Sequence, residues 1–363
     1  MKIKEVKLGI ISDSRGKDTV FIDINGFSTS APSGKSTGTH EVPCYRDTIM
    51  DDFKSIKELT SLSNFDFKKF EDLTIVEKLF RKKIGGNTLF ALEASILKAI
   101  ASERKKELWQ FLGGRKIPKL LSNTIGGGRH TKGKKPDFQE FLVVGDKKHN
   151  VLAHKEAKKI LKTKKLNDEN ACVSDLSNEE VLNLMSYSDG FGIDIAASEF
   201  YADRKYWYKN KKAIRTRQEQ IDFVIDLIEN YKPIYVEDPL QEEDFKGFAE
   251  ILKKTKGKCL IVGDDLTTTN FKRVKKAIEM KAINGLIVKP NQIGSLLEVK
   301  KVIDLCKKNN VKIIVSHRSG ETMDDTIADL AVGWGADYIK IPVVGKERLA
   351  KVDRIENIKR KIR

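Results

Sequence analysis

Six short, mostly apolar runs end on residues with chemistry to offer and little to contribute to packing. They are Gly192-Ile193 before Asp194, Pro233-Ile234-Tyr235-Val236 before Glu237, Leu260-Ile261-Val262-Gly263 before Asp264, Leu286-Ile287-Val288 before Lys289, Ile313-Ile314-Val315-Ser316 before His317, and Tyr338-Ile339 before Lys340. After the first gap the terminal residues recur every 23 to 28 positions. That is the length of one strand and one helix, and a chain that repeats the unit builds a (β/α)8-type barrel whose strand ends converge on one mouth. Three carboxylates at one mouth repel one another unless a cation lies between them. An all-oxygen set favours a hard divalent ion, Mg2+ before Zn2+, so Asp194, Glu237 and Asp264 are the candidate metal ligands. Lys289, inside an apolar barrel and near Lys340, is expected to have a lowered pKa and to serve as a base. Arg318 and Ser319 follow His317 and precede Gly320. A forked cation, a hydroxyl and a residue without a side chain suit an anion, with Lys340 holding a further anionic group. Metal, base and anion clamp together equip a site to remove a proton α to a carboxylate and to stabilise the enolate.

Two other stretches are expected at the same mouth. Gly126-Gly127-Gly128-Arg129-His130 is a glycine-rich turn, and Gln139 and Glu140 follow; His130 and Glu140 are expected to form a hydrogen-bonded acid/base pair. The stretch 31–40, rich in Gly and hydroxyls and containing Ser36, reads as a ligand-covering loop. Its GKST core is not a P-loop: position 29 is Thr where that motif needs Gly, and no apolar helix follows.

The elements that must carry these residues are legible in part. Period-two alternation over 4–31 predicts strands, with a turn at Asp13-Ser14-Arg15-Gly16. Apolar spacing of three and four predicts a helix over Thr88–Leu112, stopped by Gly113-Gly114. Ser295 and Glu298 read as a capping box for the helix that follows. The chain has 363 residues, 40% hydrophobic and 33% charged, with no run long enough to span a membrane and no apolar leader at the N-terminus. Four scattered cysteines are expected as free thiols in a reducing cytoplasm. The net charge of +16 is spread along the chain as short lysine pairs, which argues against a dedicated nucleic-acid partner and for a solvated surface that attracts an anionic substrate.

The sequence resembles the enolase family over nearly its whole length. The carriers are DSRG at 13–16, PSGKSTGTHE at 32–41, GGGRH and DFQEF within 126–141, GIDIAASEFY at 192–201, VEDPL at 236–240, IVGDDLTTTN at 261–270, VKPNQIGS at 288–295, SHRSGET at 316–322 and ERLAK at 347–351. The resemblance implies a small α+β N-terminal domain, read here as 1–116, and an enolase-type barrel over 117–363. It also implies a homodimer or higher homo-oligomer, two Mg2+ ions, a cytoplasmic role in glycolysis and the conversion of 2-phosphoglycerate to phosphoenolpyruvate and water. By the same resemblance Asp194, Glu237 and Asp264 hold metal and Lys289 is the base. Ser36 closes over the substrate, Arg318 and Ser319 hold phosphate, Lys340 the carboxylate, and His317 lies near. His130, Gln139 and Glu140 match further active-site positions. The family's GDEGG motif, whose Glu assists loss of the hydroxyl group, is expected to be deleted, with LSNEE at 176–180 aligning to the helix start beyond it. A TGAP-type segment is replaced by Ile341-Pro342-Val343-Val344, and the chain is some tens of residues shorter than a usual enolase. These departures keep open a paralogue forming an enolate from a related phosphorylated or carboxylated acid, and a silent member used for binding or scaffolding.

Overall fold

The structure, a computed structural model, describes residues 1–35, 38–57, 65–185 and 190–362. Strands β1 (Val6–Ser12), β2 (Asp18–Ile24) and β3 (Phe27–Ser30) form an antiparallel sheet in that order. Helices α1 (Ile49–Lys57), α2 (Leu73–Phe80), α3 (Gly86–Glu103) and α4 (Leu108–Leu112) follow. Val20, Ile22 and Ile24 are fully buried in β2, and Ser95 of α3 donates to the Ile22 carbonyl at 2.9 Å. The helix expected over Thr88–Leu112 is two helices. Lys105 takes a left-handed conformation (φ 55°), and Glu107 starts a new helix through a capping box with Gln110.

The remainder runs β4 (Lys119–Gly126), β5 (Glu140–Gly145), α5 (Lys147–Ile160), β6 (Cys172–Val173), α6 (Asn178–Met185), β7 (Phe191–Asp194), β8 (Tyr201–Ala202), β9 (Lys205–Tyr208), β10 (Ala213–Arg215), α7 (Arg217–Tyr231), β11 (Tyr235–Glu237), α8 (Phe245–Lys254), β12 (Leu260–Gly263), α9 (Phe271–Glu279), β13 (Gly285–Val288), α10 (Leu296–Lys308), β14 (Lys312–Ser316), α11 (Thr326–Gly333), β15 (Tyr338–Lys340) and α12 (Lys346–Ile362). Eight strands close a barrel in the order β4-β5-β7-β11-β12-β13-β14-β15, with β15 pairing back onto β4. It departs from a plain repeat at one strand: β5 runs antiparallel to both β4 and β7. The reversal puts the first residue of β5, Glu140, at the mouth where the other strands end; Glu140 pairs with Asp194 in register.

Alternation along each strand does the rest. Leu121, Leu142, Tyr235, Val262, Ile287 and Ile314 form a closed apolar cluster inside the barrel. Their neighbours Leu120, Phe141, Val236, Ile261, Leu286 and Ile313 belong to the separate core between strands and helices. Side chains two apart share a face. One step of two from the interior plug therefore aims Asn123, Glu140, Glu237, Asp264, Lys289 and Ser316 into the mouth. The Ser295 cap forms only in half. Its hydroxyl accepts from the Glu298 amide at 2.9 Å, while the Glu298 carboxylate pairs with Arg81 of the N-terminal layer.

Candidate active site

The mouth is a pocket lined by His130, Gln139, Glu140, Glu169, Asp194, Asp238, Asp264, Asp265, Lys289, Ser316, His317, Arg318, Ser319 and Lys340, with Gly34 on its rim. Lys340, at the end of β15, is its hub. The ammonium lies 2.8 Å from Asp194, 2.8 Å from Glu237 and 3.0 Å from Glu140. Asp264 contacts Lys289 and accepts from the Gln292 amide at 3.2 Å. Gln139 donates to Asp194 at 3.3 Å. Asp238 caps the turn after β12 by accepting from the amides of Asp264 and Asp265 at 3.0 and 2.7 Å.

The sequence-predicted residues are brought together, with corrections. Asp194 and Glu237 share Lys340, whereas Asp264 stands with Lys289. Among the described residues, the acid and histidine groups of three whose ligand atoms lie within 4.8 Å of one another are His130, Glu140 and Glu169 on one side and Asp238, Asp264 and Asp265 on the other. Lys289 is not lowered. Burial alone would lower it, but the adjoining Asp264 outweighs burial and raises the ammonium pKa. His130 and Glu140 are not directly paired. His130 Nδ1 bonds Asp168 at 3.0 Å and its Nε2 lies 3.6 Å from Glu169, while Glu140 pairs with Lys340 and lies beside Glu169. Burial, with Glu169 and Asp194 close by, raises the Glu140 pKa well above the usual carboxylate range although Lys340 opposes it. Glu169 is held well below the usual range because His130 and His317 outweigh its burial. Arg318 Nη2 donates to both carboxylate oxygens of Glu41 at 2.9 and 3.0 Å, and its Nη1 donates to Asn291 Oδ1 at 3.3 Å. Ser36 lies outside the described residues.

The expected loss of a glutamate at this wall is overturned. Glu169 is there, 3% exposed, on a loop that uses asparagines where glycines were sought. Asn170 occupies the left-handed region (φ 65°), which Asn tolerates better than most residues. Asn167 accepts from the amides of Glu169 and Ala171 at 3.0 and 2.9 Å, a local turn that presents Glu169. The loop also needs Gly126, since a Cβ there would lie 2.2 Å from Asn167 Nδ2. Asn-Asp-Glu-Asn was the readable signal. Glu41 and Asp238 stand inside PSGKSTGTHE and VEDPL, but nothing in their spacing assigns them a role.

The donor set fits a divalent cation. Six carboxylates line the pocket against Lys289, Lys340 and an Arg318 already engaged by Glu41. Burial and the neighbouring Asp194 push Glu237 up to about 8; burial and neighbouring acids raise Asp238 and Asp265 well above the usual range. Glu237 Oε1, Gln139 Oε1, His317 Nδ1 and Ser319 Oγ are buried without a hydrogen-bond partner among the described residues. Polar atoms of that kind are ordinarily satisfied, and here they gather where a ligand would satisfy them.

Residues 115–363 match the family described as "Enolase, C-terminal TIM barrel domain". The chain is 39% identical over 403 aligned positions to the enolase of Methanosphaera stadtmanae, covering 99% of this chain and 97% of that protein. It is 37% identical over 402 positions to the enolase of Methanothermobacter thermautotrophicus, and 36% over 398 to that of Archaeoglobus fulgidus, with the same two coverages in each case.

Proposed function

The chain belongs to the enolase family, and from that premise we propose that it is a metal-dependent hydro-lyase that converts 2-phosphoglycerate into phosphoenolpyruvate and water. The observation that carries the reading is the opposition of Lys289 and the Glu140–Glu169 pair. Lys289 follows β13 and Glu140 begins β5, four strands away in either direction around the closed barrel. A substrate between them meets a lysine at one end and a one-proton carboxyl pair at the other. Elimination across two adjacent carbons needs that arrangement.

The family implies a divalent metal, and we assign Mg2+ from the all-oxygen donors. Asp194, Glu237 and Asp264 would hold it, and when bound it supplies positive charge that stabilises the enolate. Once Asp264 is engaged elsewhere and no longer favours the ammonium, Lys289 can release its proton to solvent, and the neutral amine then takes the C2 proton. Arg318 and Ser319 take the phosphate, with Glu41 yielding the fork, and Lys340 and His317 face the carboxylate. The C3–oxygen bond breaks on the other side, where the proton shared by Glu140 and Glu169 leaves with the hydroxyl as water. Gln139 orients Asp194, and His130 steadies Glu169. With Glu169 present, the missing glutamate no longer counts among the departures that kept a paralogue with another substrate open.

Our reading extends to a cytoplasmic homodimer serving glycolysis, with its two domains divided after residue 116. Family resemblance supports it, as do the four free thiols and the turn between Leu112 and Lys119. No helix among the described residues is long and apolar enough to cross a membrane. The test is direct: purified protein, Mg2+ and 2-phosphoglycerate, followed by the ultraviolet absorbance of the enol product. A folded protein that produces no such absorbance would end the proposal.

A further inference from the structure

Asp168 stands one residue before Glu169 and is not itself among the residues lining the pocket. Its two carboxylate oxygens serve two different parts of the molecule. Oδ1 takes His130 Nδ1 at 3.0 Å, and Oδ2 takes the Lys35 ammonium at 2.7 Å. His130 is 6% exposed, and the Lys35 side chain is 34% exposed. A buried imidazole is thus linked, through one carboxylate, to a cation that reaches solvent.

We propose that Lys35 is a positioning residue of the active site, acting through Asp168 to fix the ring of His130 beside Glu169. The inference rests on the functional reading above for its kinetic arm only. A carboxylate with a single partner can rotate or swing; with a donor on each oxygen it has one arrangement. Asp168 so held keeps a proton on His130 Nδ1 whatever the charge of the ring, because a carboxylate only accepts. Nε2 is then the nitrogen turned to Glu169, 3.6 Å away. Such outer partners orient the groups that touch the reacting atoms. Neighbouring residues anchor the stretch that carries Lys35. Ser33 and Gly320 exchange backbone hydrogen bonds at 2.7 and 2.8 Å, and Arg15 donates to Ser33 Oγ at 2.7 Å. Lys35 therefore approaches Asp168 from a fixed root.

The experiment compares Lys35→Met, Lys35→Arg, Asp168→Asn and the double variant Lys35→Met/Asp168→Asn in the full chain with Mg2+ and 2-phosphoglycerate. A partly exposed ion pair is modest in strength, so Lys35→Met should lower kcat/KM about fivefold, with Lys35→Arg restoring most of it. Because Lys35 works only through Asp168, the double variant should match Asp168→Asn within about twofold. Nitrogen-15 NMR of the histidines supplies a readout free of turnover. At a pH high enough for the ring to be neutral, His130 should carry its proton on Nδ1 in the parent protein, and mixed tautomers should appear in Asp168→Asn and, to a lesser degree, in Lys35→Met. The proposal is overturned by a Lys35→Met variant kinetically equal to the parent, by losses that multiply in the double variant, or by a His130 spectrum that Lys35→Met leaves unchanged. Should the parent itself not dehydrate 2-phosphoglycerate, the functional reading fails, while the NMR comparison still decides the link.

Discussion

Glu169 and Lys289 divide the proposed reaction between them, and single substitutions should separate the halves. Glu169→Gln keeps the shape of the wall and removes its charge. It should leave exchange of the C2 proton with D2O running while dehydration falls by about a hundredfold or more. Lys289→Ala should stop both. NMR of the recovered substrate distinguishes the outcomes, and a Glu169→Gln variant that dehydrates as fast as it exchanges would remove Glu169 from the chemistry. Arg318 offers a second test at this scale. Lysine keeps the charge and loses the fork, so Arg318→Lys should raise KM for 2-phosphoglycerate by about tenfold. An unchanged KM would place the phosphate elsewhere. The Arg318–Glu41 pair has a consequence too: phosphate must displace a buried carboxylate from the guanidinium. Glu41→Gln should therefore weaken the competitor and alter KM, as steady-state kinetics would record.

At the level of elements, the strands were the readable part. An apolar run ending on an acid or a lysine, repeated at the length of a βα unit, points to a barrel mouth because inward and outward faces alternate regardless of context. Hence Asp194, Glu237, Asp264, Lys289, His317 and Lys340 could be found from spacing alone. Three things could not. The helix break at Lys105 depends on a lysine adopting a left-handed conformation that lysine does not advertise. The Glu169 loop was missed because asparagine can stand in for glycine at φ 65°, so a search for glycines passes over it. The raised pKa of Lys289 follows from contact with Asp264, a distance that neither residue's strand position specifies. Gly320 shows the reverse case, a residue whose need is plain only in three dimensions. A Cβ there would lie 2.0 Å from Asp13 Oδ2 and 2.5 Å from Ser33 Oγ. Gly320→Ala should force the 13–16 turn and the Ser33 stretch away from the mouth. The expected result is a loss of roughly 1–3 kcal/mol in stability and a larger loss of turnover, read by urea unfolding and by the absorbance assay. An alanine variant with parental stability and rate would show that the close approach is dispensable.

On the scale of the whole molecule, the last helix of the barrel is clasped to the last helix that precedes the barrel. Glu107, the N-cap of α4, accepts from Trp109 Nε1 at 3.1 Å and from Arg354 and Lys361 of α12 at 2.9 and 2.8 Å. Arg354 in turn binds Asp329 of α11 with two bonds of 2.7 Å. The last helix of the barrel is thereby pinned to the last helix before it, across 247 residues of sequence. Burial would raise the Glu107 carboxyl, but the bonds from Lys361, Arg354 and Trp109 outweigh it and hold the pKa down to about 2, against an ordinary 4.5. A carboxylate depressed in the folded state stabilises that state at every pH above its unfolded value, and the contribution fades as pH falls from 4.5 towards 2. Glu107→Gln removes the charge without removing the side chain's bulk. The variant should therefore unfold a few degrees below the parent at pH 7, and the gap should narrow through that acid window and close near its lower end. Because Glu107 is partly exposed, added salt should also shrink the gap at pH 7. Thermal unfolding of the two proteins side by side, at pH 7, 4.5 and 3 and at two salt concentrations, measures all of this. A gap that stays constant with pH would assign the loss to the cap geometry of α4 and not to the charge that joins it to α12.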